Sequence, residues 1–156
     1  MMKLYFSFDT QYSQFYIVDS LCPKEIGRAD FWTPEAYKDR LAIGKGILGI
    51  GTECYGPVKG EIEVLEKENE DFDINQFDHI VEGSIEIKSG NLTIEDCPTS
   101  TKQLEINVNP GAYRARIYSS NLESVEGGEM GDDYYRIELW PSNDMTRKVL
   151  KEYFSK

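Results

Sequence analysis

The sequence predicts an all-β fold, an antiparallel β-sandwich of jelly-roll-like form with about nine short strands and one or two short helices. Three observations carry that prediction. Apolar and polar residues alternate with period two along most of the chain. Clusters of Gly, Pro, Asn and Asp interrupt the alternation every eight to twelve residues or so. Helical spacing is confined to two brief stretches. The chain has 156 residues, which suits one domain spanning 1–156. A chain of that size buries roughly 68–70% of its unfolded surface, so it folds without a disulfide or a metal.

Taken in order, "KLYFSF" (3–8) and "QFYIVDS" (14–20) are aromatic and β-branched strands joined by a turn through Asp9–Ser13. In "DFWTPEAYKDRLAIG" the period changes. Thr33 is an N-cap and Pro34 fits the first helical position, where a missing N–H costs nothing. Ala36, Tyr37, Arg40 and Leu41 follow at helical spacing, and Gly44 is positioned to end the helix. "GILGIGT" (46–52) is a glycine-rich strand. "VKGEIEVLEK" (58–67) places Val58, Gly60, Ile62 and Val64 on one face and Lys59, Glu61 and Glu63 on the other. "HIVEGSIEIKSGNLTIED" (79–96) has the form of a hairpin turning at "SGN". "QLEINVNPGAYRARIYSS" (103–120) gives two strands divided by "NPG", and "DYYRIELWP" (133–141) gives another. "SNDMTRKVLKEYF" is expected to close the chain as a helix with Met145, Val149, Leu150 and Tyr153 on one side.

The stretch "PGAYRARIYSS" poses a functional question, because two arginines stand two residues apart in an acidic chain. Period two places Arg114, Arg116 and Tyr118 on one face, and Arg136, Glu138 and Trp140 on the matching face of 134–140. Antiparallel pairing with the apolar faces aligned brings Glu138 beside Arg114 or Arg116. The expectation is that these are ion pairs on an exposed strand face, not an anion site.

Charge narrows the function. The chain carries 28 acidic and 17 basic residues, a formal net charge of −11, which argues against direct binding of DNA or RNA. It suits a basic protein partner. Two runs concentrate the acid: 61–82 holds nine carboxylates against one lysine, and 123–133 holds five with no basic residue. Within them Glu66, Glu68, Glu70, Asp71, Asp73, Asp78, Glu123, Glu126, Glu129, Asp132 and Asp133 are the candidate partner-binding residues. Phe72, Phe77, Met130 and Tyr134 lie within or beside the runs as apolar anchors. Three scattered cysteines, Cys22, Cys54 and Cys97, give no disulfide framework. No signal-like or membrane-spanning apolar run is evident, so the chain is expected in the cytoplasm.

Motifs for chemistry are poorly supplied. "GKGILG" (44–49) spells G-x-G-x-x-G, but it follows a helix and opens a strand, the reverse of a dinucleotide site. "DFDINQFDHIVE" (71–82) puts Asp71, Asp73, Asn75 and Glu82 at calcium-loop positions, yet Gln76 stands where the loop requires glycine. His79 is the only histidine, so a two-histidine zinc site is excluded. No catalytic residue, metal or cofactor is expected. An alternative reading is a carbohydrate or small-ligand module with Trp32, Trp140, Tyr55 and Tyr134 as an aromatic platform.

"FWTPEAYKDRLAIGKGILGIGT" (31–52) resembles the competence protein J (ComJ) family in its Trp-Thr-x-Glu-Ala stretch, here Trp32, Thr33, Pro34, Glu35 and Ala36, and in the glycine-led strand from Gly46. "PGAYRARIY" is similar to that family's Pro-x-Gly-x-Tyr strand start, here Pro110, Gly111 and Tyr113. The acidic middle, 61–82, has no counterpart in the resemblance. The resemblance implies a β-sandwich inhibitor or immunity-type protein whose partner is a bacterial nuclease or toxin. It carries over no catalytic residue, and neither the residues nor the resemblance settle the oligomeric state.

Overall fold

A computed structural model describes residues 3–22 and 30–154. Its strands are β1 (Lys3–Asp9), β2 (Gln14–Asp19), β3 (Leu41–Gly44), β4 (Ile47–Gly51), β5 (Pro57–Val64), β6 (His79–Ile87), β7 (Asn91–Glu95), β8 (Lys102–Asn107), β9 (Gly111–Ser120), β10 (Tyr134–Pro141) and β11 (Lys148–Lys151), with one α-helix, α1 (Pro34–Asp39). Six strands form one sheet in the order β1-β5-β10-β9-β6-β11, and five form a second in the order β3-β4-β2-β7-β8. The inward residues of both sheets share one core, which includes Phe15, Ile17, Leu48 and Ile94 from the second sheet and Ile62, Val81, Ile117 and Ile137 from the first. This is the sandwich that period-two patterning predicts: most strands bury one face against the opposite sheet.

Four details depart from the sequence reading. The segment 79–96 is not a hairpin. β6 pairs with β9, whereas β7 pairs with β2 and β8, so Ile85 and Ile87 meet Leu92 and Ile94 across the core. The corner is held by Asp19 of β2, whose carboxylate accepts the N–H groups of Lys88 (3.0 Å) and Ser89 (3.3 Å). Alternation with a short loop is compatible with a hairpin or a crossing between sheets, and here the buried carboxylate favours the crossing.

The helix is shorter than expected. Thr33 Oγ1 does accept the Ala36 N–H at 3.1 Å, but Arg40 turns left-handed (φ 62°) and the chain continues as β3. Leu41 and Ala42 are fully buried there, and strand pairing with β4 places them so. The closing segment is a strand and not a helix. Asp144 Oδ1 accepts the Thr146 N–H at 2.9 Å, breaking helical phase, and β6 captures Lys148–Lys151 on its free edge. Finally, β10 runs parallel to β5. A long crossover separates the two strands, and no tight turn imposes an antiparallel sense.

Both outer faces are covered in part. Against the second sheet, Phe31 and Ala36 pack on Tyr16, Val18, Ala42 and Ile47. Against the first sheet lies the acidic segment that follows β5.

Candidate functional site

The outward face of the six-stranded sheet carries the arginines. Arg116 in β9 stands opposite Glu82 of β6 on one side and Glu138 of β10 on the other; Arg114 stands opposite Ser84 and Trp140. Glu82 serves both arginines: Oε1 accepts Arg114 Nε at 2.8 Å and Oε2 accepts Arg116 Nε at 2.7 Å. Arg116 Nη1 donates to the Tyr118 hydroxyl at 2.9 Å, and that hydroxyl donates to Glu138. Arg136 reaches Glu138 at 2.8 Å. Burial pushes the Tyr118 hydroxyl well above its ordinary range, with Glu138 adding to the rise. Burial alone would lower the Arg116 pKa, but Tyr118 and Glu82 raise it above the ordinary value.

This face is not exposed, which corrects the expectation. Arg114 is 3% exposed, Arg116 1%, Glu82 4% and Glu138 1%. Over Arg116, Tyr118 and Glu138 the cover is the acidic segment itself, and Asp144 O accepts Arg114 Nη1 at 3.1 Å. Leu65 N–H donates to Leu139 O at 2.7 Å. Asn69 O accepts Arg116 Nη1 at 2.7 Å, and Asn69 Nδ2 donates to Glu138 at 3.1 Å. The Phe72 and Trp140 rings lie 4.6 and 5.0 Å from the Arg116 guanidinium. Phe77 packs on Tyr118 at 4.6 Å between ring centres. The two phenylalanines are therefore fasteners of the segment and not free anchors. Arg114 and Arg116 answer the protein's own carboxylates, and burial requires that they do so, because an unpaired charge there would be costly.

Glu82 is the residue that sequence reading missed as their partner. Its only local signal was a place on the polar side of β6. Nothing in the chain declares that β6 adjoins β9.

The predicted partner-binding residues divide. Glu66, Glu70, Asp71 and Asp73 are exposed, although Asp73 also accepts the Asn75 N–H at 2.9 Å. Glu68 is exposed but bound to Arg116 Nη2 at 2.9 Å. Asp78 is half-buried and accepts the Leu122 N–H at 2.9 Å, which ties the first acidic run to the base of the second. Glu123, Glu126, Glu129 and Asp132 are exposed, with Asp132 3.3 Å from Lys59. Asp133 is buried, accepting from the Tyr135 hydroxyl at 2.6 Å and from Cys54 N–H at 3.3 Å. Its role is structural, because both contacts fasten the 123–133 loop to the sandwich. Above the covered arginines runs a cleft of about 530 Å³, lined by Glu63, Glu66, Glu68, Glu70, Asp71 and Glu138 against Lys67 and Arg136.

The remaining candidates resolve into structure. Both oxygens of Glu82 are taken by arginines, so Glu82 cannot close a calcium loop over 71–82. His79 is buried, with Nε2 donating to Asp39 O at 2.7 Å and Nδ1 accepting the Tyr153 N–H at 3.1 Å. Burial, the largest cause, lowers its pKa. Gly46 (φ +70°) turns β3 into β4, and Gly49 gives room to Phe31 and Trp32. Trp32 stacks on Tyr37 at 5.1 Å over the second sheet, whereas Trp140 lies on the outer face of the first, so they do not form one platform. No described helix is long and apolar enough to cross a membrane.

Two solved structures match this architecture over most of the chain. The crystal structure of ComJ from Bacillus subtilis, inhibitor of the DNA degrading activity of NucA, has a TM-score of 0.68 at 16% identity, covering 91% of this chain and 100% of that one. The chain has a ComJ-like fold. Crocagin biosynthetic gene J is also similar, with a TM-score of 0.57, 16% identity, and coverage of 92% of this chain and 100% of that one. At such identity the likeness to ComJ is one of fold. No family model matches the chain, and no curated protein matches it.

Proposed function

We propose that this protein is a non-catalytic inhibitor or immunity-type protein that blocks a basic bacterial nuclease or toxin by occupying its substrate groove. The observation that carries the reading is the acidic tract on a ComJ-like fold. Glu66, Glu70, Asp71 and Asp73 project from a segment that the buried Arg116 holds in place. Glu123, Glu126, Glu129 and Asp132 extend the tract at one end. Because Asn69, Phe72 and Phe77 fix the backbone beneath, these carboxylates are presented with little ordering cost on binding. They offer a cationic groove a row of negative charge in place of a phosphate backbone.

Carboxylates at a rim act mainly on encounter, so association is fast at low salt and slows as salt screens the attraction. The test is stopped-flow binding to purified basic nucleases from the host, paired with a DNA-degradation assay. A variant carrying Glu66→Gln, Glu70→Gln, Asp71→Asn and Asp73→Asn is expected to associate at least about tenfold more slowly at low salt with little change in dissociation. Glu68 is left intact because it pairs with Arg116. Association that ignores both salt and these substitutions would end the acidic-tract reading.

A further inference from the structure

Four strands end the two sheets: β1, β11, β3 and β8. Three are blunted in ways that discourage pairing with another chain. β3 has only four residues. β11 breaks register between Val149 and Lys151 and carries a lysine at each end. β8 opens with Lys102, has Glu105 exposed, and faces a register shift at Ile94/Glu95. β1 differs. It is seven residues long, holds unbroken register with β5 from Lys3 to Asp9, and contains no proline.

The backbone of β1 has a definite outward set. Thr10 N–H donates to Gly56 O at 3.1 Å, on the continuation of the β1–β5 ladder. Alternation then turns the N–H and C=O of Leu4, Phe6 and Phe8 toward β5, and those of Lys3, Tyr5, Ser7 and Asp9 away from it. Pro57, which has no N–H, stands opposite Asp9, in keeping with that phase.

The sequence of β1, KLYFSFD, complements itself about Phe6. A second β1 laid antiparallel across a two-fold axis at Phe6 sets Lys3 against Asp9, Leu4 against Phe8 and Tyr5 against Ser7. The outward residues 3, 5, 7 and 9 become the hydrogen-bonded pairs, exchanging about eight N–H···O bonds in all. The remaining pairs, Leu4–Phe8 and Phe6–Phe6, fall where opposed side chains approach most closely. Leu4 and Phe8 are only half-buried at this edge, so the pairing covers apolar surface that the isolated chain leaves partly open. Each end closes with an opposite-charge pair, Lys3–Asp9, in which Lys3 also reaches Glu61 at 3.2 Å.

We propose that the outer edge of β1 is a self-association surface, and that its partner is a second copy of this chain, joined edge to edge across a two-fold axis at Phe6. The result is a continuous sheet of twice six strands. The interface is isologous, so it closes at two copies and does not propagate.

Sedimentation velocity from about 1 to 200 µM tests it, since association of this kind is concentration-dependent. The wild type is expected to move from monomer to dimer across the range. Ser7→Pro removes an outward N–H and leaves the ladder to β5 intact, a place where an edge strand tolerates proline. Tyr5→Lys adds a charge to an exposed position. Both are expected to remain monomeric with unchanged circular dichroism, and Tyr5→Lys keeps the test valid should Ser7→Pro fold poorly. The register is read separately. In a Cys22→Ser background, Tyr5→Cys chains mixed with Ser7→Cys chains should form a disulfide dimer, because opposed hydrogen-bonded residues stand about 5.5 Å apart between Cα atoms. Each variant alone should link far less. A wild type that stays monomeric throughout, a Tyr5→Lys chain that dimerises like wild type, or linking no greater in the mixture than in the separate variants overturns the proposal.

Discussion

Replacing Glu82 by alanine removes the one carboxylate that both buried arginines share. Arg116 would keep Glu68 at 2.9 Å, Asn69 O at 2.7 Å, Tyr118 at 2.9 Å and Glu138 at 3.9 Å. Among the described residues, Arg114 would keep only the carbonyl of Asp144 at 3.1 Å and its carboxylate at 3.8 Å. Its Nη2 is already buried with no partner among the described residues. The cost therefore falls mainly on Arg114, as a buried charge left with only the half-exposed Asp144 beside it. Breaking a buried pair in this way costs roughly 3–5 kcal/mol. Glu68→Ala removes an exposed partner of Arg116 and should cost about 0.2–1 kcal/mol. Urea unfolding separates them. With a slope near 2 kcal/mol/M, Glu82→Ala should lower the midpoint by about 1.5–2.5 M, and Glu68→Ala by no more than about 0.5 M. Glu82→Gln, which keeps the shape and loses the charge, should fall between the two. If Glu82→Ala matches Glu68→Ala, water reaches the arginines, and the cluster is not desolvated in the way its burial implies.

His79 should make stability depend on pH. Its folded pKa is depressed below the ordinary 6.5 by burial, and Nδ1 already accepts the Tyr153 N–H, so protonation breaks that contact. A depressed base binds its proton more readily when unfolded. The contribution is thus complete above pH 6.5 and is lost as pH falls from there toward the folded value. Urea midpoints between pH 5 and 8 should show this decline in the wild type and less of it in His79→Gln; parallel curves would refute it. Gly49→Ala should be costly despite its ordinary backbone, because the added carbon would lie 2.8 Å from Trp32 Cζ2 and 3.2 Å from two Phe31 ring atoms. A loss of about 1–3 kcal/mol and a shifted tryptophan emission are expected, and an unchanged spectrum with unchanged stability would contradict the close packing of that ring.

Much of the candidate site was legible only in part. The pairing of β9 with β10 follows from adjacency in the chain and matching polar faces, so Glu138 could be set near the arginines in advance. Glu82 could not, because its strand arrives from 32 residues away from Arg114. The acidity of 61–82 was plain, but Asn69 carried no signal, and Phe72 and Phe77 read as anchors for a partner. Their work as fasteners appears only when the sheet beneath them is known. Asp133 looked like the last charge of an exposed loop; its burial depends on Cys54, which the loop between β4 and β5 brings beside it and Tyr135.

By itself the sequence determined which residues lie on each side of most strands, because successive side chains of an extended backbone point in opposite directions whatever the neighbours are. It also determined the acidity and the Thr33–Pro34 start of the helix. Tertiary structure alone decided which polar face is dry. A row such as Arg114, Arg116 and Tyr118 alternates in the same way whether water or a folded segment covers it. It decided too whether a turn returns a strand beside its neighbour or across the core, since both use the same few residues and differ only in what the apolar side finds to pack against.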